Sequence, residues 1–211
     1  MKKLLILIIG FLVTFHLYAQ EGIVVTGAER LIAWKDHSVM TDTSIFRGLE
    51  WTQTGPLTNS GRISSIVGIP GDPSIVYAGT PVGGVWKTEN AGITWFPVFD
   101  EQPTQMIGDI EVFPDDPDIV WVGTGSSNLS GSAYPGLGVF KSGDGGKTWE
   151  HKGLEEGQNI MRIAISPQDP NTVYVAAMGN KDYPEDKTIG LFKTTDGGES
   201  WIKVLSDDRY T

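Results

Sequence analysis

Short apolar runs separated by glycine- and proline-rich turns recur along the chain from residue 62 onwards. The segment 62–99 holds four runs with the length and the β-branched and aromatic content of strands: Ile63–Ile69, Ile75–Thr80, Gly84–Lys87 and Thr94–Phe99. The same order of runs returns in segments 107–152 and 160–205, at a period of about fifty residues. Four short antiparallel strands per repeat predict an all-β fold of about three β-propeller blades, which is an incomplete ring.

Each repeat contains an octet with the pattern Ser/Thr, any, Asp/Asn, any, Gly, any, Ser/Thr, Trp. The carboxylate or amide can accept hydrogen bonds from turn N–H groups, the Gly permits a positive φ angle, and the Trp is a large apolar anchor. A structural role is therefore predicted for three sets of residues: Thr88, Asn90, Gly92 and Trp95; Ser142, Asp144, Gly146 and Trp149; Thr194, Asp196, Gly198 and Trp201.

The octets resemble the Asp-box (BNR) repeats of bacterial sialidases, xyloglucanase-like glycosidases and sortilin-type receptors, all of which are β-propellers. The resemblance covers the chain from about Leu49 to its C-terminus. It implies a propeller segment over 49–211, with Trp51 in an outer strand that closes the ring. Because propellers use four to eight blades, further blades are expected from sequence beyond Thr211.

The second and third repeats carry longer segments between their second and third strands than the first repeat does: Gly125–Gly136 and Gly179–Thr188. Since strands alternate in direction, these segments share one face, here called the loop face, with the inter-blade connections 100–106 and 153–159. The octets lie on the opposite face. Insertions that cluster on one face indicate a binding surface.

Five candidate ligand-binding residues follow from this geometry: Arg62, Asn128, Tyr134, Arg162 and Tyr183. Aromatic and amide side chains on the insertions can stack on a sugar and hydrogen-bond it, and arginines near the start of a first strand can reach the central channel. The alternative is that the loop residues only order their own loops, and that the arginines pair neighbouring blades.

The N-terminal region differs from the repeats. Lys2, Lys3 and the apolar run Leu4–Val13, followed by Leu17–Ala19, predict a signal peptide over residues 1–19 and hence a secreted, cell-surface or periplasmic protein. An uncleaved anchor is the alternative. Residues 20–48 form a lead-in, in which helical spacing predicts a short helix near Ala28–Val39 that packs on the side of the propeller.

Charge and composition narrow the chemistry. Loss of the two lysines with the signal peptide takes the formal net charge from −10 to −12, which disfavours nucleic acid as a partner. The chain has no cysteine, so disulfides and thiolate-bound metals are excluded. No histidine pair has metal-binding spacing, so no metal or cofactor is predicted, and no membrane span is predicted in the mature chain.

The resemblance supplies no catalytic residue within this chain. Xyloglucanase-like enzymes carry a catalytic Asp in an Arg-Thr-Asp-Ile-Gly-Gly segment, and the matching segment Gly79–Gly84 has Pro81 in its place. The Arg-Ile-Pro segment of sialidases corresponds to Arg62-Ile63-Ser64. The leading interpretation is recognition of an extracellular glycan or protein by the loop face. The alternatives are the N-terminal part of a glycoside hydrolase whose catalytic residues lie partly outside this chain, and a purely structural propeller.

Overall fold

The computed structural model describes residues 25–48, 61–125, 134–179 and 188–205. Its strands form three four-stranded antiparallel sheets, and within each sheet they pair in chain order. Blade 1 contains β1 (Ser65–Ile69), β2 (Asp72–Gly79), β3 (Val85–Thr88) and β4 (Phe96–Pro97). Blade 2 contains β5 (Ile107–Val112), β6 (Val120–Thr124), β7 (Val139–Ser142) and β8 (Glu150–His151). Blade 3 contains β9 (Ile160–Ser166), β10 (Asp169–Ala177), β11 (Gly190–Thr194) and β12 (Ile202–Leu205). The predicted all-β fold of four-stranded blades is confirmed.

The hydrophobic core lies between the blades, and among the innermost strands β5 contacts both β1 and β9. One cluster, which includes Tyr77, Phe99 and Phe140, fills the space between blades 1 and 2. A second cluster, which includes Trp121 and Phe192, fills the space between blades 2 and 3. The inner strands β5 and β6 of blade 2 are buried along almost their whole length, because both faces of this middle blade pack against a neighbour.

Strand bounds differ from the predicted ones at two joints. β2 begins at Asp72 rather than Ile75, because Ile69 pairs directly with Asp72 across a tight turn in which Gly71 has a φ of 84°. The outer strand β4 has two residues rather than the predicted Thr94–Phe99. Its first residues belong to the octet turn instead, since the Thr94 N–H donates to Asn90 Oδ1 at 2.9 Å.

The octets form compact turns held by their own polar side chains. In blade 2, Ser142 Oγ accepts from the Gly146 N–H at 2.8 Å, and Asp144 accepts from the Thr148 N–H and hydroxyl at 2.8 and 2.6 Å. The hydrogen bonds that Asp144 accepts, chiefly those from Thr148, lower its pKa to about 2. Bonds from Ser200 and Thr194 likewise lower the pKa of Asp196.

The octet tryptophans join each blade to the preceding one. The Trp149 Nε1–H donates to the Val98 carbonyl of blade 1 at 2.7 Å, and its ring meets Phe99 edge-to-face at 5.1 Å. The Trp201 Nε1–H donates to the Lys152 carbonyl of blade 2 at 2.6 Å. Both rings are half-buried, whereas Trp95 of blade 1 is 38% exposed.

Octet 88–95 contains a backbone conformation that its residue does not favour. Ala91 has a φ of 58°, and the corresponding residues of the other octets are Gly145 and Gly197, with φ of 71° and 73°. We expect Ala91→Gly to raise the free energy of unfolding by about 0.5–1 kcal/mol, since relief of the left-handed strain exceeds the added entropy of the unfolded chain. Urea denaturation measures the change. Gly145→Ala is the reciprocal control and should destabilise; a loss of stability in Ala91→Gly would contradict the strain.

The helix α1 spans Gly27–Thr43 and is longer than the predicted Ala28–Val39. It begins at a capping box, in which the Glu29 N–H donates to Thr26 Oγ1 and the Thr26 N–H donates to Glu29 Oε2. No helix in the described part of the chain combines the length and the apolar character that crossing a membrane requires. The predicted signal peptide and the predicted outer strand with Trp51 lie outside the described residues.

The prediction that α1 packs on the side of the propeller is wrong. The Ala28 N–H donates to Glu156 Oε1 at 3.1 Å, and Gly27 packs against the backbone of Glu155 so closely that a Cβ would clash. Both glutamates belong to the connection between blades 2 and 3, on the loop face. Leu31 packs against the core cluster between blades 1 and 2. The helix therefore lies across the loop face, where its side chains can take part in a binding site.

Candidate functional site

A groove of about 730 Å³ lies on the loop face, within the size range of small-ligand sites. Three segments line it: residues 30–37 of α1, the blade 1–blade 2 connection 100–106, and residues 134–137 at the end of the β6–β7 loop. The last two segments are those in which the alternation of strand direction predicted a binding surface. The helix contributes the third wall.

Aromatic rings form much of the groove surface. Trp34 and His37 stack with ring centroids 5.7 Å apart and an interplanar angle of 28°. Arg30, Trp34 and His37 share one face of the helix because they are spaced at four and three residues. Tyr134 adds an exposed ring from the β6–β7 loop. Such flat apolar surfaces, each with a polar edge, suit ligands that have both an apolar face and hydrogen-bonding groups.

Polar residues of the blade 1–blade 2 connection line the groove beside the aromatic rings, and one of them is hydrogen-bonded within its own loop. The Gln105 Nε2–H₂ donates to the carbonyls of Phe99 and Asp100 at 3.2 and 3.3 Å, so this amide orders its own loop. The side chains of Asp100 and Gln102 also line the groove. They can accept or donate hydrogen bonds to a ligand.

Arg30 stands at the helix wall of the groove. Its Nη1–H donates to the Pro135 carbonyl at 3.5 Å, and its Nη2 is buried without a hydrogen-bond partner among the described residues. Burial lowers the pKa of Arg30, an effect that Glu156 partly opposes. A buried guanidinium N–H without a partner is unfavourable, so an oxygen-rich ligand at this wall would be stabilised.

The turn that contains Pro81 adjoins the groove. The Gly84 N–H donates to the Gln105 carbonyl at 2.9 Å, and the Thr80 hydroxyl donates to the Gly84 carbonyl at 3.1 Å. Pro81 is buried within this turn. Pro81, which the sequence resemblance predicts at the position of a catalytic Asp, has a side chain without an exchangeable proton.

A buried carboxylate joins the innermost strands of all three blades. Asp109 on β5 accepts from the Ser65 hydroxyl of β1 and from the Ile163 N–H of β9, each at 2.8 Å. The Arg162 Nη1 of β9 lies 3.6 Å from Asp109 Oδ1, although most of the Arg162 side chain is exposed. Asp109 thus fixes the innermost strands relative to one another.

Glu111 lies two residues beyond Asp109 on the same strand, so both side chains point to one side of β5. Burial raises the pKa of Glu111, the charge of Asp109 raises it further, and Arg162 partly lowers it. The group is half-buried on the innermost strand of blade 2 and does not line the groove.

The candidate residues from the sequence are distributed over different places. Tyr134 lines the groove. Arg162 pairs with Asp109 between blades 2 and 3. Arg62 is exposed, three residues before β1. Asn128 and Tyr183 lie outside the described residues.

Sequence reasoning missed the helix wall of the groove, formed by Arg30, Trp34 and His37. The spacing of these residues could have indicated the wall, since three ring or guanidinium side chains on one face of a helix are unusual for a solvent-facing surface. Assigning the helix to the side of the propeller kept it out of the candidate site.

Curated relatives are xyloglucanases. The chain is 24% identical over 180 residues to a xyloglucanase of Paenibacillus sp., which covers 79% of this chain and 17% of the relative. It is 29% identical over 161 residues to a xyloglucanase of Acetivibrio thermocellus, covering 69% of this chain and 18% of the relative. A probable oligoxyloglucan-reducing end-specific xyloglucanase of Neosartorya fischeri is 28% identical over 71% of this chain and 18% of its own length. The chain spans less than a fifth of the length of these relatives.

Solved structures show the same fold. An ancestral GH74 enzyme superposes with a TM-score of 0.52 and 22% identity, over 71% of this chain and 19% of that enzyme. The GH74 xyloglucanase of Xanthomonas campestris gives a TM-score of 0.51 and 23% identity, over 68% of this chain and 21% of that enzyme. No family model matches the chain. The relation to xyloglucanase-like glycosidases is confirmed at the level of sequence similarity and fold. The likeness to sialidases and sortilin-type receptors stays a prediction.

Proposed function

We propose that this chain is a glycan-binding part of a β-propeller protein of the glycoside hydrolase type, and that its groove binds xyloglucan or a similar β-glucan. One observation carries the proposal: an aromatic-walled groove lies on the loop face of blades whose sequence is similar to xyloglucanases. The similarity supports the glycoside hydrolase alternative more than a self-standing recognition module.

The groove offers the two kinds of contact that a neutral glucan requires. The rings of Trp34 and Tyr134 can cover the apolar faces of sugar units, while Asp100 and Gln102 can bond to hydroxyl groups. Arg30 supplies a buried N–H that a sugar oxygen can satisfy. Binding of a polysaccharide outside the cytoplasm also agrees with the signal peptide predicted over residues 1–19.

Loss of the aromatic wall should weaken glucan binding. We expect Trp34→Ala to raise the Kd for xyloglucan oligosaccharides about tenfold, which corresponds to about 1.4 kcal/mol. Isothermal titration calorimetry measures the change. Trp95→Ala is the matched control, because it also removes a tryptophan ring, but one that is exposed in an octet on the opposite face. Unchanged binding in Trp34→Ala would place the site elsewhere, and no binding by the parent chain would refute the proposed ligand.

Binding and hydrolysis are expected to separate. Glycoside hydrolysis requires two carboxyl groups across the scissile bond, and this chain has Pro81 at the position of one of them. We therefore expect no release of reducing ends from xyloglucan by this chain, measured by a reducing-sugar assay over a period in which an active xyloglucanase gives a clear signal. Hydrolysis that disappears in Asp100→Asn, with binding retained, would contradict this prediction and assign catalysis to the groove.

A further inference from the structure

Two walls of the groove rest on a segment that does not itself line the groove, the blade 2–blade 3 connection 153–159, here called the platform. The helix wall contacts the platform through the first turn of α1. The wall formed by residues 134–137 is held to the same segment, because the Gly136 N–H donates to the Gln158 carbonyl. The platform therefore sets how far apart these two walls stand.

The platform has a fixed shape. Leu154 and Gln158, near its two ends, have φ angles of 60° and 46°, which residues with a side chain rarely adopt. Between them Glu155–Gly157 forms a short 3₁₀ helix, and the Gly157 carbonyl accepts from the Gly179 N–H at 3.1 Å, just beyond β10. Such backbone conformations persist only where surrounding contacts determine them. A helix that docks on the platform is thus held against a surface that does not adapt to it.

The first residue of α1, Gly27, is buried against the platform. A Cβ added at Gly27 would lie 2.5 Å from the Glu155 carbonyl oxygen and 2.8 Å from the carbonyl carbon. The φ angle of Gly27 is not positive, so the position requires the lack of a side chain rather than backbone freedom. Because both atoms of Glu155 belong to the backbone, a larger residue must move the helix by about 1 Å to reach an ordinary van der Waals distance.

Glu156 of the platform holds the same end of the helix. Its Oε1 accepts from the Ala28 N–H at 3.1 Å, one of the N–H groups that the first turn of a helix leaves without an intrahelical acceptor. A carboxylate at this end is also favoured by the positive pole of the helix dipole. Because Trp34 and His37 follow on the same rigid helix, the contacts of its first turn determine where their rings stand.

We propose that Gly27 is a positioning residue for the groove: its lack of a side chain lets α1 dock on the platform, and this docking sets the affinity of the groove for its ligand. The ligand is the β-glucan of the proposed function, on which this role depends. Gly27 does not line the groove. It acts through Trp34 and His37, whose distance from the wall 134–137 depends on how closely the helix approaches the platform.

Gly27→Ala and its matched control Gly48→Ala test this role in the whole chain. Both changes add one methyl group to a glycine beside α1, but a Cβ at Gly48 meets nothing within 4 Å. By isothermal titration calorimetry, Gly27→Ala is expected to raise the Kd for xyloglucan oligosaccharides about tenfold, the effect expected from overpacking one close contact. Gly48→Ala is expected to bind like the parent chain. Equal affinity of Gly27→Ala and the parent would overturn the proposal.

Hydrogen exchange followed by mass spectrometry gives a second readout that needs no ligand. In Gly27→Ala the backbone amides of α1 are expected to exchange faster than in the parent, while those of the blade strands exchange at the parent rate. Alanine favours a helix more than glycine does, so faster exchange reports the loss of docking rather than a weaker helix. Unchanged exchange in α1 would overturn the proposal.

Glu156→Ala covers the case in which Gly27→Ala loses its fold, seen as faster exchange in the blades as well. This variant removes the acceptor of the Ala28 N–H without adding bulk at the contact. It is expected to raise the Kd for the same oligosaccharides roughly threefold and to speed exchange in α1. Affinity and exchange equal to those of the parent would show that the first turn does not position the groove.

Failure of this role and failure of the proposed function are distinguishable. A parent chain that does not bind xyloglucan oligosaccharides refutes the proposed ligand, whereas the exchange of α1 in Gly27→Ala still shows whether Gly27 docks the helix. A parent chain that binds them, together with a Gly27→Ala variant that binds equally well, refutes the positioning role alone.

Discussion

Replacing Asp109 with alanine is expected to lower the free energy of unfolding by about 2–4 kcal/mol, because two hydrogen bonds to a buried charged acceptor are lost and a buried N–H is left without a partner. The carboxylate accepts hydrogen bonds from Ser65 on blade 1 and Ile163 on blade 3, and Arg162 faces it at 3.6 Å. Without it, the buried Ile163 N–H loses its partner and the innermost strands lose their common acceptor. Urea denaturation gives the change directly.

The control for this variant is Asp115→Ala, an exposed aspartate of the same blade, which should change stability by less than about 0.5 kcal/mol. A loss below about 1 kcal/mol in Asp109→Ala would show that the blades hold their arrangement without the carboxylate.

Asp109→Asn adds an electrostatic readout, because the charge of Asp109 is one cause of the raised pKa of Glu111. The pKa of Glu111 should fall in this variant, and NMR titration of its side chain measures the fall. The pKa of Glu111 is higher in the folded chain than its unfolded value near 4.5. Glu111 therefore contributes stability that is fully present below the unfolded pKa and is lost as the pH rises through the folded pKa. As the pH increases from the unfolded to the folded pKa of Glu111, Asp109→Asn should therefore lose less stability than the parent chain. An unchanged Glu111 pKa would mean that burial alone sets it.

Replacing Trp149 with alanine is expected to destabilise the chain by about 3 kcal/mol, at the lower end of the range for aromatic truncation because the ring is half-buried. The variant loses the edge-to-face contact with Phe99 and leaves the Val98 carbonyl without its indole donor. Chemical denaturation at low protein concentration, where self-association is negligible, provides the measurement.

Trp95→Ala is the matched control for Trp149→Ala, since the two residues occupy the same octet position. Trp95 is exposed, so its loss should lower stability by less than about 1 kcal/mol. Equal losses in the two variants would show that the octet tryptophan acts within its own turn rather than through the preceding blade.

The blades could be predicted from the sequence because their determinants are local and repeated. Each octet closes its turn with its own side chains, as Asp144 does with Thr148, so the pattern specifies the turn wherever it occurs. The alternating direction of successive strands was enough to predict the loop face. That prediction correctly placed Tyr134 at the binding surface, where it lines the groove.

The helix wall and the Asp109 contacts could not be predicted in the same way. The position of α1 depends on contacts such as that of Ala28 with Glu156, which are 128 residues apart in the chain. No periodicity within the helix encodes that partner. Asp109 was visible as a polar residue in an apolar strand, but its acceptor role depends on two other strands that meet it only in the folded blades.

The contacts that the octets make with the preceding blade bear on how such a protein changes in evolution. The octets of blades 2 and 3 each contact the preceding blade through a tryptophan, and each octet is encoded within a repeat of about fifty residues. A duplication or deletion of one such stretch of the gene therefore adds or removes a unit whose two ends already match their new neighbours. Recombination can alter the number of blades without the need for a new interface, so related genes are expected to differ by whole repeats more often than by parts of them.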